Sequence, residues 1–291
     1  MARMAVLPPL EVVATERVTP RMQRVVLGSP ALCALEAPLP AAHVRLLFAE
    51  PGAPVVLPTP GAHGLTWPAG AARPYARSMT VRALDRVRGT MTLDIALHGD
   101  SAAGRWATAA HPGDPAGVVG PGGGWTPPAD AREVLLAGDE TALPAIAALL
   151  EALPRHAPVH AVVETHDGAD EQDLARPVQW VHRAAGGTLL AALRDRPVAA
   201  STAVWVAGEG HAVKAIREHL RLHRGLARSH CHAIRYWTRG RSHEDCDATF
   251  GAARAEAARR GITLVTTQDV HEMSYELMTG GFPIPVGPPG V

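Results

Sequence analysis

Arg77, Ser78, Thr80 and Arg82 lie in the stretch Arg77-Ser-Met-Thr-Val-Arg82, and His98-Gly99-Asp100-Ser101 and Gly104-Arg105 follow downstream. A guanidinium offers an anion a fork of donors, and the first turn of a helix offers it free N–H groups at the positive end of a dipole. Met91, Leu93, Ile95 and Leu97 alternate with Thr92, Asp94, Ala96 and His98, which predicts a half-buried strand with one polar face. That strand runs into Ser101-Ala-Ala-Gly-Arg-Trp-Ala107, which predicts the opening of a helix aimed at an anion. With Arg77 and Arg82 placed on the preceding strand, the chemistry indicated is the holding of a pyrophosphate. The alternative for any one of these arginines alone is an edge strand with a solvated side chain. Residues 73–124 thus read as two strands, a short helix and a glycine-rich exit at Gly120-Pro-Gly-Gly-Gly124.

The order Arg77-Ser-Met-Thr-Val-Arg82, Leu97-His-Gly-Asp100, Arg105-Trp-Ala107, Pro112-Gly-Asp114 and Gly120-Pro-Gly-Gly123 resembles the flavin domain of bacterial siderophore-interacting proteins. These are FAD-dependent ferric-siderophore reductases related to the ferredoxin-reductase superfamily. The resemblance continues through Leu136-Ala-Gly-Asp-Glu-Thr-Ala-Leu-Pro-Ala145, Trp205-Val-Ala-Gly-Glu209 and Tyr236-Trp-Thr-Arg-Gly240, and covers most of residues 8–245. It implies FAD and NAD(P)H as cofactors. On the flavin side the implied contacts are Arg77, Ser78, Met79, Thr80, His98, Gly99, Ser101, Ala102 and Gly104. On the nicotinamide side they are Gly138, Asp139, Thr141, Gly208 and Glu209, with Trp237 as part of an aromatic pair near the flavin.

Two positions depart from the family pattern. The family's first motif is Arg-x-Tyr-Thr/Ser, and the tyrosine position is Met79 here. A thioether can lie on a ring face but gives up an aromatic contact of about 1 kcal/mol. The phosphate turn after Asp100 is the short Ser101-Ala-Ala-Gly104 in place of a Gly-Pro-Ala-Ser-like sequence. Tyr75 is a candidate to take over the stacking role.

The chain has 291 residues, 47% of them hydrophobic, and a formal net charge of zero. That is enough for one large or two ordinary cores, and it carries no nucleic-acid or anionic-membrane footprint. Lys214 is the sole lysine, so a basic substrate surface must be built from arginine and histidine. Three cysteines, no export-type leader and no apolar run near ~20 residues indicate a soluble protein of a reducing cytoplasm.

Segments 10–18, 22–27 and 43–48 read as strands before any helix, which predicts an antiparallel β-barrel, and residues 51–74 read as a long surface loop. After a linker at Trp125 to Asp130 the pattern changes. Apolar runs at 133–137, 159–163, 178–181 and 203–206 alternate with helical spacing at Leu143, Ile146, Leu150 and at Val213, Ile216, Leu220, which predicts an α/β doubly wound parallel sheet. Ligands bind beyond the strand C-termini in such sheets, where Gly138 to Thr141 and Gly208-Glu209 lie. Without a ligand, Asp139 or Thr141 reads as an ordinary helix cap. The expected units are 1–126, a FAD-binding barrel; 127–246, an NAD(P)H-binding-like α/β domain; and 247–291, an extension with a predicted helix over 248–260 and strand-like 262–265.

His230, Cys231, His232, His243 and Cys246 form the densest ligand-type cluster. On a strand His230 and His232 share a face that Cys231 cannot, so no metal site is assigned. The expected activity is reduction of a ferric siderophore by NAD(P)H through FAD, with small-molecule partners and no protein acid or base named. The alternative is the same scaffold working as a biosynthetic enzyme, such as a cyclase acting by substrate positioning in the inter-domain cleft, with FAD absent or structural.

Overall fold

The computed structural model describes residues 5–50, 52–61, 64–99, 101–241, 251–253, 255–263 and 270. In chain order the first unit contains β1 (Leu10–Thr19), β2 (Met22–Gly28), β3 (Ala42–Phe48), β4 (Thr59–Gly61), β5 (Gly64–Thr66), β6 (Tyr75–Thr80), β7 (Ala83–Asp85), β8 (Thr90–Ala96), α1 (Ala102–Ala109) and β9 (Pro115–Gly123). Seven strands form one antiparallel sheet in the order β6-β3-β9-β1-β2-β8-β7. The edges are drawn together where Val81 N donates to Ala42 O (2.8 Å) and Arg82 N to Thr92 O (3.0 Å), closing a barrel. Its core is filled by alternate residues, among them Val44, Leu46 and Phe48 of β3 and Met91, Leu93 and Ile95 of β8. Trp106 of α1 packs on Phe48 with ring centroids 5.1 Å apart and covers one end.

Four expectations are corrected here. Residues 51–74 are not all loop, because β4 and β5 pair as a small hairpin. The glycine run is not an exit: Gly122 and Gly123 belong to β9 and pair with His43 and Ala42. A side chain at Gly123 would meet the His43 ring at 3.0 Å, so the bare backbone lets β9 lie against that histidine. Arg82 falls beyond the end of β6. Asp94, expected on the polar face, is buried because Arg24 of β2 holds it through Nε (2.7 Å) and Nη2 (2.9 Å).

The second unit comprises β10 (Glu133–Asp139), α2 (Leu143–Ala152), β11 (Val159–Thr165), β12 (Gln179–His182), α3 (Leu189–Arg194), β13 (Thr202–Glu209), α4 (Gly210–Glu218) and β14 (Cys231–Trp237). All five strands are parallel, in the order β12-β11-β10-β13-β14. Burial on both faces accounts for the unbroken apolar runs of β10 and β13. Leu136, Trp205 and Ala207 pack on α2, whereas Leu135, Val204 and Val206 pack toward α3 and α4. The predicted cap at Thr141 is displaced by one residue: α2 starts after Ala142, which makes no side-chain cap, with Pro144 in its first turn.

The two units share a core. Met22, Ala41 and Trp125 from the barrel side join the cluster of Leu136, Ile146, Leu149 and Trp205. Trp125, expected in a linker, is therefore a packing residue. The β1–β2 turn is pinned when Arg21 reaches Asp170 through Nη1 (2.8 Å) and its backbone N–H (3.2 Å). Arg82, expected on an anion, instead forks onto Glu151 at the end of α2 (2.9 and 2.5 Å). A double-mutant cycle of R82A and E151A is expected to give a coupling energy of about 1 kcal/mol in urea unfolding, the range of a well-oriented exposed pair. Additive losses would show that the fork contributes nothing to docking.

In the extension, residues 251–253 and 255–259 are helical. Ile262 and Thr263 are not in a strand, and 264–265 lie outside the described residues. No helix among the described residues is long and apolar enough to cross a membrane.

Candidate functional site

The site builds outward from β6. Tyr75, Arg77 and Met79 alternate along it, and Tyr75 and Met79 pack partly into the barrel cluster. Tyr75 stacks on Phe48 (5.4 Å, 25°), donates from its hydroxyl to Glu50 (2.9 Å), and lies 5.8 Å from the Arg77 guanidinium. The Glu50 hydrogen bond raises the Tyr75 pKa, and the charges of Arg105 and Arg77 oppose it. Two guanidinium groups, one from the strand and one from α1, thus act on a single phenol. Arg77 also donates to Ala76 O (3.0 Å). Tyr75 is engaged by Phe48 and Glu50 in this arrangement, while Met79 packs partly on the barrel cluster.

The expected helix opening is present. Ser101 caps α1, accepting from Gly104 N at 3.1 Å. A side chain at Gly104 would approach Ser101 Oγ to 2.8 Å, while Gly99, at φ +51°, faces open space. Ala102 packs on the barrel cluster. Arginines of this kind together with a capped helix start are the donor types a dinucleotide diphosphate requires. Arg105 was missed as a site residue by sequence reasoning, although its place four residues after the Ser101 cap sets it on the first full turn of α1.

From the other unit, β14 brings Tyr236 and Trp237 to the junction. Trp237 stacks on His98 at 6.1 Å and 15°. Tyr236 is half-buried and hydrogen-bonded to Thr80; desolvation pushes its phenol up to about 12, against that bond. Both the aromatic pair and the end of the β6 motif therefore meet at one seam, with Ser78 exposed beside it.

Asp139 ties the seam together. Its carboxylate accepts from Thr141 N (2.9 Å), Thr141 Oγ1 (2.5 Å), Glu209 N (2.8 Å) and Trp237 Nε1 (2.8 Å). Burial raises its pKa, and the Thr141 and Trp237 donors pull the other way. Glu209 caps α4 through His211 N (2.8 Å) and Ala212 N (3.0 Å). Burial works to raise the Glu209 pKa, but the donors at Ala212, His211 and Arg239 hold it below the usual range. Gly138 and Gly208 answer to packing. A side chain at Gly138 would strike Ala142 Cβ at 2.5 Å and Ala207 O at 2.7 Å, and one at Gly208 would strike the Asp139 carboxylate at 2.6 Å.

Among the described residues the metal-type cluster is not assembled. His230 lies in the turn before β14, 3.5 Å from Asp130, not on the strand with His232. His232 stacks on Trp125 and Cys231 is buried, while His243 and Cys246 fall outside the described residues. No group of three metal-type side chains gathers among the described residues.

Two family models match this architecture unit by unit: "Siderophore-interacting FAD-binding domain" over residues 11–125 and "Siderophore-interacting protein" over residues 131–240. Ferric vibriobactin reductase ViuB of Vibrio cholerae is 31% identical over 249 residues, covering 81% of this chain and 90% of that one. The chain belongs to the siderophore-interacting protein family. Another relative, the NADPH-dependent ferric-chelate reductase of Escherichia coli, is 32% identical over 212 residues, covering 70% of this chain and 83% of that one. Among solved structures, a siderophore utilization protein from T. fusca superposes with a TM-score of 0.72 at 37% identity, covering 82% of this chain and 98% of that chain. The siderophore-interacting fold thus accounts for both sheets and for the seam between them.

Proposed function

We propose that this siderophore-interacting protein is a FAD-containing NAD(P)H oxidoreductase that reduces Fe(III) held by a small-molecule siderophore. The observation that supports the reading is the seam itself: His98 against Trp237, and Thr80 against Tyr236, bring the end of β6 and the approach to α1 against β14 of the parallel sheet. The donor set fits FAD. Arg77 and Arg105, with the α1 opening at Ser101, Ala102 and Gly104, would hold the diphosphate, and Ser78, Met79, Thr80, His98 and Gly99 would contact the flavin half. Residues 1–126 form the flavin unit and residues 127–246 the nicotinamide unit. In the second, Asp139 and Thr141 act by positioning Trp237 and the β13 turn at Gly208-Glu209, and Gly138 by admitting α2 close to the sheet.

When bound, FAD supplies the conversion from a two-electron donor to one-electron reduction of Fe(III). The chain's part is to clamp the diphosphate, to fix Trp237 over the seam and to exclude water there by packing. The reaction so written requires no protein acid or base, and none is named.

The absorbance spectrum of the purified protein tests this. Flavin bands that NAD(P)H bleaches and a ferric chelate restores are the expected result. A protein that stays colourless after incubation with FAD would overturn the reading and leave the biosynthetic alternative, which Met79 at the stacking position favours.

A further inference from the structure

The dinucleotide half of the proposed reaction leaves the choice of hydride donor open, and a group away from the seam bears on it. Glu140, Glu164 and Arg183 meet at the C-terminal edge of the sheet, on the β10, β11 and β12 side of the switch where the strand order reverses between β10 and β13. Arg183 follows β12 and donates through Nη1 to Glu140 (2.6 Å) and Glu164 (3.2 Å), and through Nη2 again to Glu140. The other oxygen of Glu164 accepts from Leu189 N at 2.6 Å, at the start of α3. Neighbouring His182 is engaged by Glu171 at 2.9 Å. The three central side chains are only 14, 15 and 29% exposed, so their charges are poorly screened.

In a doubly wound sheet the adenylate half of a dinucleotide lies beyond the ends of the first strands. A carboxylate near the end of the second strand accepts the ribose 2′-hydroxyl, and an available arginine instead takes a 2′-phosphate. β11 is that second strand, and Glu164 stands next to its last residue. Arg183 is the cation a 2′-phosphate would need, and Glu140 already occupies it from two directions. Two carboxylates around one guanidinium leave a net negative charge, which favours a hydroxyl over a phosphate dianion.

Resting on the proposed reductase reading, we infer that this chain selects NADH over NADPH, with Glu164 as the ribose acceptor and Glu140 as the carboxylate that keeps Arg183 from a 2′-phosphate. The E. coli relative is named for NADPH; the selectivity inferred here comes from this chain's own side chains.

The test is calorimetric titration of the full chain with NAD+ and separately with NADP+, so that binding is read apart from turnover. NAD+ is expected to bind about tenfold tighter or more, a difference of roughly 1.4 kcal/mol. In E140Q/E164Q, which frees Arg183, the ratio is expected to fall about tenfold, and E140Q alone should move it in the same direction. NADP+ binding as tightly as NAD+ to the unaltered chain, or a ratio unmoved by E140Q, would overturn the inference and leave the reductase reading standing. Binding of neither nucleotide would overturn the inference together with the assignment of NAD(P)H as donor.

Discussion

Purified R77A is expected to carry little FAD while keeping the circular dichroism of the unaltered protein. Arg77 lies on β6 between the barrel-packed Tyr75 and Met79, and its guanidinium sits near the Tyr75 ring and donates to Ala76 O. Removing it takes away a charged donor from the proposed diphosphate site. A charge-assisted hydrogen bond contributes about 1.5–3 kcal/mol, so FAD affinity should drop roughly tenfold to a hundredfold. The ratio of flavin to protein absorbance, followed through dialysis, reads it directly. R17A, on the exposed end of β1, serves as the control. Equal flavin retention in R77A and R17A would remove Arg77 from the diphosphate site.

Replacing Asp139 by alanine is the larger structural loss. Its four accepted hydrogen bonds come from three separate segments, the α2 entry, the end of β13 and the side chain of Trp237. Alanine leaves those part-buried donors without their acceptor, at up to about 1–3 kcal/mol each, so the net loss in urea unfolding should be about 3 kcal/mol. D139N keeps an acceptor oxygen and should lose about half as much. Trp237 emission should shift with the variant, since the indole N–H loses its partner. A D139A midpoint equal to that of the unaltered protein would show that the carboxylate does not bind the segments together.

The legible and the illegible parts of this chain separate by the range of the interaction involved. The period-two run of β8 and the apolar runs of β10 and β13 are local signals, and both strands and the parallel sheet form where those runs stand. Ser101 as the α1 cap is likewise a local signal. Asp94 broke the alternation because its partner, Arg24, is on another strand, and no pattern within β8 can reveal that. Arg82 read as an anion ligand because its carboxylate, Glu151, lies at the far end of a helix in the other unit. The hairpin of β4 and β5 has only three residues per strand, too few for a periodic signal. Gly138 and Gly208 were legible as a turn signature, but close packing with Ala142 and the Asp139 carboxylate explains them without a ligand. Arg183 became visible only when the folded chain set it beside Glu140.

The shared cluster of Met22, Ala41 and Trp125 with Leu136 and Trp205 has a further consequence for how this chain can be rearranged. A chimera that grafts the barrel of one family member onto the α/β half of another would have to match an interior, not merely a surface, because the join runs through buried side chains. Swaps that carry the β1–β2 turn and the Trp125 segment along with the second half should tolerate exchange better than a cut at the connector.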